Sequence, residues 1–304
     1  MSGFSLWQAA ELLSRFWHYL AIAALAGRLY ISLLAAAGNA NQRQALSHNS
    51  PVFLFWVVTG ALAAATLLFV QTGEINQRGL AGMFDPLMLE ILWQSPTGQA
   101  LQFKLLGFAL LLLAWTSWQP WVQISANARL LLYRGLAVLA LLALAGSFAF
   151  YGHTLSQGVA ARLAVSAHVL AVLLWAGSLL PLLQATQTSQ TGETVLLLRR
   201  FGQLAWTKLG IMLLTGSYLL YQLFDSWNEV LYSSYGRVFV GKLLLVLILL
   251  GFAALNKYRL VDRLERGATA RELHRSITAE AILVLGILGL TAVLTTVLGP
   301  EAMN

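Results

Sequence analysis

The chain has 304 residues, of which 58% are apolar and 10% charged, against about 25% charged in an ordinary soluble chain. With a mean hydropathy of +0.71, this composition points to a membrane protein and leaves no stretch for a separate soluble domain. Zero cysteines exclude disulfides, thiolate metal ligands and thioether-linked haem. The net charge of +7 fits loop charges on one membrane face and does not call for nucleic acid.

A spanning helix needs roughly 20 apolar residues. Such runs fall near 16–37, 52–70, 101–118, 130–150, 163–183, 203–224, 238–255 and 277–298, predicting an all-α integral membrane protein with eight transmembrane helices. The first run ends in Ala35-Ala36-Ala37, like a signal-peptide cleavage site, but no basic residue precedes Arg15 and Arg28 interrupts it. A retained helix is expected. Loops after the odd-numbered spans hold Arg43, Arg129, Arg199, Arg200, Lys257, Arg259, Arg263, Arg266, Arg271 and Arg275. That face is expected to be cytoplasmic, with both termini periplasmic. In the outer loop 71–100, the stretch PLMLEILW is too short to cross and is expected to lie along the surface.

The two halves, 1–150 and 151–304, resemble each other in order. HYLAIAALAGRLYISLL aligns with HVLAVLLWAGSLLPLLQ, pairing His18 with His168 and Gly27 with Gly177. Thr59-Gly60 pairs with Thr215-Gly216, and Ser95, Gly98 and Lys104 pair with Ser233, Gly236 and Lys242. Units of four spans keep one orientation, so two parallel-oriented four-helix repeats about an axis along the membrane normal are expected.

The paired histidines would share one depth near the outer face. If their helices flank the axis, the imidazoles face each other and form a metal site, with His153 in YGHTLSQG as a third ligand. Imidazole binds copper well. Met83 and Met88, either side of Asp85, are possible auxiliary ligands through their thioethers, although two methionines on a surface helix are more often simply apolar. Arg28, buried mid-span, needs a partner, and Glu280 lies at a compatible depth. Lys104, Lys208 and Lys242 are close enough to span ends to snorkel. GRVFVGK at 236–242 has Leu243 where a phosphate loop needs Ser or Thr, so no nucleotide site is read.

Gly152-His153, HVLAVLLWAGSLLPLL, RFGQLAWTKLGIMLLTG, YGRVFVGKLLLVLILLGFAALNKYRL and RSITAEAILVLGILG together resemble the copper resistance protein D family (CopD). The resemblance implies an eight-helix bacterial inner-membrane protein acting in copper handling, often beside a periplasmic copper-binding partner of the CopC type; no enzymatic activity is expected of the chain. The expected function is to bind copper at the periplasmic face and move it across or into the membrane. Two alternatives use the chain differently: a b-type haem electron carrier ligated by the same histidine pair, and a noncatalytic scaffold or chaperone partner.

Overall fold

The computed structural model describes residues 5–35, 51–119, 125–151, 157–188, 191–224 and 226–298. Among them the chain is helical throughout. The helices are α1 (Leu6–Ala35), α2 (Pro51–Asn76), α3 (Pro86–Gln94), α4 (Pro96–Thr116), α5 (Ala126–Gly146), α6 (Gly158–Ala176), α7 (Leu179–Thr188), α8 (Thr191–Leu223), α9 (Trp227–Tyr232), α10 (Ser234–Leu255), α11 (Val261–Glu265) and α12 (Arg271–Thr296). A five-residue π-helical segment, Asn256–Leu260, joins α10 to α11.

Seven described segments are long and apolar enough to cross a membrane: α1, α2, α4, α5 with the short turn after it, α6 with α7, α10 with α11, and α12. The predicted span at 203–224 falls on the second part of the 33-residue α8, which ends at Leu223 and is not among the seven because Gln203, Lys208 and Gln222 dilute its apolar run. Large apolar side chains point outward along the bundle, Leu62, Leu214, Leu247 and Ile282 each more than 60% exposed. A lipid environment would satisfy that surface, because hydrocarbon solvates leucine as well as a protein core does.

The helices pack in a recurring pattern. In the first half α1 lies on α2 and α4 on α5; in the second, α6 lies on α8 and α10 on α12. Between halves, α1 meets α6, α1 meets α12, and α5 meets α6. The closest approach is at Gly27 and Gly177. A Cβ added to Gly27 would fall 1.8 Å from the Gly177 carbonyl carbon, and one on Gly177 would fall 1.8 Å from the Ala23 carbonyl oxygen. Only hydrogen at these positions lets the two backbones touch.

Short segments set the entry angles of α4 and α10 in the same way. Ser95 caps α4 by accepting from Gly98 N, and Ser233 caps α10 by accepting from Gly236 N. Each glycine sits against a carbonyl of the short helix before it, Trp93 O and Val230 O respectively. The expected surface segment is α3, nine residues capped by Asp85 and exposing Leu87 and Ile91.

Basic residues gather at one end of the bundle. Arg199 pairs with Asp262 and Glu265, Arg263 with Glu272, and Arg200 donates to Leu34 O at the end of α1. The start of α1 and the end of α12 lie at the other end, where the Tyr19 and Thr295 hydroxyls are 3.4 Å apart.

Candidate functional site

Each histidine stands nine residues before the glycine at which α1 and α6 touch. Nine residues are two and a half turns, so His18 and His168 occupy the faces of their helices opposite the contact. The two rings are therefore not brought together, and the facing pair expected from the repeat is not formed. His18 meets Gly60 and Phe108 of its own half, whereas His168 meets Met212, Thr215 and Gly216 of its own half.

The two environments share one plan. His18 Nδ1 lies 3.4 Å from Gly60 O on α2. His168 Nδ1 lies 3.1 Å from Met212 O and 3.2 Å from Thr215 Oγ1 on α8. A carbonyl accepts from Nδ1–H, which fixes the tautomer and leaves Nε2 with the free lone pair, the usual arrangement of a metal-binding imidazole. A lysine comes within electrostatic reach of each ring, Lys104 on α4 for His18 and Lys242 on α10 for His168.

They differ in access. His18 is fully buried and its Nε2 has no partner. Above it, Glu11 accepts from Arg15 Nε at 3.0 Å, from Arg15 Nη2 at 2.5 Å and from Gln71 Nε2 at 2.8 Å. Lys104 donates to the Tyr151 hydroxyl at 2.9 Å, and both Arg15 and Lys104 lie over the Tyr151 ring. Composition gives no hint of this buried network; the one sequence signal is Glu11 four residues ahead of Arg15, a helical ion-pair spacing. At the positions matching Glu11 and Arg15 the second half has Ala161 and Val165, and His168 and Lys242 are only half-buried.

The remaining expected residues fall as follows. Met83 packs over Gly73 beside Trp7, and Met88 sits half-buried in the first turn of α3. Neither is among the neighbours of His18 or His168. His153 lies outside the described residues. Among the described residues no three His, Asp or Glu side chains converge as a metal cage. Arg28 and Glu280 do not pair: Glu280 accepts from Asn256 Nδ2, and Arg28 lies within reach of Tyr133 on α5. Glu280 finds its partner within its own half and not across the bundle. Lys104 and Lys208 do not snorkel either. They are 3% and 5% exposed, because tyrosine hydroxyls receive them inside; Lys208 donates to Tyr30 OH at 2.7 Å and lies over the Tyr30 and Phe201 rings.

A cavity of about 140 Å³ opens in the second half toward the basic end, lined by Trp175, Phe201, Trp206, Ala253, Asn256 and Glu280 among others. It exists because α8 and α10 scarcely meet, whereas their counterparts α2 and α4 pack together.

Residues 7–163 match the family model for the copper resistance protein D-like N-terminal domain, which alone spans just over half of the chain. The chain belongs to the copper resistance protein D family. Residues 195–294 match a second model, copper resistance protein D itself, so the two matches take in His18, the α8 residues around His168 and the α8, α10 and α12 residues of the cavity, whereas His168 and Trp175 lie between them. No curated protein and no solved structure matches the chain. Family membership makes this a copper-resistance membrane protein with several membrane-spanning helices.

Proposed function

We propose that this protein handles copper by receiving it from the periplasmic side of the bacterial inner membrane at His168, and that it is a carrier and not an enzyme. One observation carries the reading: His168 has Nδ1 held by Met212 O and Thr215 Oγ1, which directs the Nε2 lone pair away from α8 in a chain of a copper-handling family. With no thiolate in the chain, imidazole is the best copper donor present. His153, a few residues ahead of α6, is a further imidazole for the same ion, and a periplasmic partner of the CopC type would deliver it. Lys242 nearby weakens the hold on a cation, which suits a cargo that must leave again.

In this reading α8 is the eighth span, its Lys208 accommodated by Tyr30. The chain comprises two parallel four-helix repeats, 1–150 and 151–304, about an axis through the Gly27–Gly177 contact. The matched helix pairings and the twin caps of α4 and α10 support that relation. The basic end is cytoplasmic by charge. His18 is the sealed counterpart of His168, closed off beneath the Glu11–Arg15–Gln71 network. A haem held between the two histidines would need the facing arrangement that the helix faces exclude.

The test is Cu²⁺ binding to the purified protein in detergent. His168→Ala is expected to weaken binding by on the order of tenfold or more, and Thr215→Val by roughly tenfold through loss of ring orientation. Binding unchanged in His168→Ala, or no binding by the wild type, overturns the proposal.

A further inference from the structure

The second half carries a continuous internal face from His168 to the basic end. On α6, Trp175 follows His168 by seven residues, two turns along the same face, and lines the cavity. On α8, Met212, Leu209, Ala205, Gly202 and Leu198 recur at intervals of three and four, one face of a helix. The first of these meets His168 and the others line the cavity.

At its inner end the cavity holds a carboxylate in apolar surroundings. Glu280 is 3% exposed, accepts from Asn256 Nδ2, and forms no ion pair among the described residues. Asn256 Oδ1 is buried with no partner. Lys257, the next residue, also lines the cavity; its ammonium donates to Gly202 O at 2.8 Å and lies over the Trp206 ring, and it makes no ion pair with Glu280 among the described residues. A carboxylate buried without a counter-charge is costly, and a cation held between it and the idle amide oxygen would meet both needs. Asn256 opens a π-helical segment, a local distortion frequent at functional sites.

At the corresponding place among the described residues the first half is filled, and the reason is written in its sequence. Under the register that pairs Lys104 with Lys242, the cavity residues Ala253 and Asn256 correspond to Trp115 and Trp118. Both tryptophans pack into the first-half core, and Trp118 meets Tyr133 edge-on at 5.9 Å, much as Asn256 meets Glu280. Two indoles fill the space that an alanine and an asparagine leave open.

We propose that copper passes through the second half alone, from His168 along the α6–α8 face into this cavity, and that Glu280 with Asn256 Oδ1 forms an inner cation site on the way. The imidazole of the outer station suits Cu²⁺; the inner station offers oxygen donors alone, which hold Cu²⁺ more tightly than other divalent first-row ions but less tightly than a nitrogen site does. The proposal rests on the copper reading above and adds the route and its inner station.

The experiment measures Cu²⁺ entry into proteoliposomes holding a fluorescent chelator, with Cu²⁺ binding at the outer site measured in parallel on each variant. Ala253→Trp and Asn256→Trp transplant the first-half residues, and Glu280→Gln removes the inner charge. Each is expected to cut entry about tenfold while retaining outer-site binding, which also shows that it has folded. His18→Gln, in the sealed half, is expected to leave entry within about twofold. Entry unchanged in all three second-half variants, or abolished by a folded His18→Gln, overturns the route. Wild type that binds Cu²⁺ through His168 but admits none also overturns it and leaves the copper reading standing; wild type that binds none brings down both.

Discussion

Gly27 and Gly177 decide more than any other residues how the bundle is arranged. Because their backbones touch, the faces that bear the histidines must turn outward into separate halves. Replacing Gly27 by leucine would push a side chain through the Gly177 peptide, and the expected cost is about 3 kcal/mol, read as a marked fall in the thermal midpoint in detergent. A midpoint equal to wild type would mean that the helices do not touch there. The glycine match was visible in the sequence, and so was the histidine match. Their mutual orientation could also have been worked out, since nine residues separate them in both halves; what was missing was the knowledge that the glycines form the contact. The buried roles of Lys104 and Lys208 were hidden for a different reason. Their tyrosine partners lie 47 and 178 residues away, and nothing in local composition separates an inward lysine from a snorkelling one.

Among the elements, the long helices are the most legible, because apolar length is the physical requirement for crossing. Seven qualify directly, and α8 is diluted by polar residues, of which Lys208 is received by Tyr30 on α1. The short surface helix α3 was legible too, its limits set by Pro86 and by Ser95 before Pro96. Its cap gives a pH-dependent prediction. Asp85 is held below the usual carboxylate range, chiefly by the hydrogen bond from Met88 N, then by the Asn76 side chain, Leu87 N and the Arg78 charge. A carboxyl whose folded value is depressed stabilises the fold above its unfolded value, about 3.9, and that contribution disappears as pH falls through the lower folded value. Amide exchange over residues 87–91, corrected for its intrinsic pH dependence, should therefore quicken below about pH 4. In Asp85→Ala it should be fast already at neutral pH. Protection that is the same in both proteins at neutral pH would remove Asp85 from the account of α3.

At the scale of the whole molecule, two halves with one plan have diverged in packing. The first is closed by Trp115, Trp118 and the network around Glu11 and Lys104; the second keeps the same histidine, Thr-Gly step and lysine but replaces the closing residues with Ala161, Val165, Ala253 and Asn256. The duplication was readable from matched residues, whereas the asymmetry lies in the positions that do not match. The most direct measurement is modification of histidine ring nitrogens by diethyl pyrocarbonate in native membranes, resolved residue by residue by mass spectrometry, with and without Cu²⁺. The account predicts that His168 is modified and that Cu²⁺ protects it, while His18 stays unmodified in both conditions until the protein is unfolded. Modification of His18 as fast as His168, or a His168 indifferent to Cu²⁺, would contradict it.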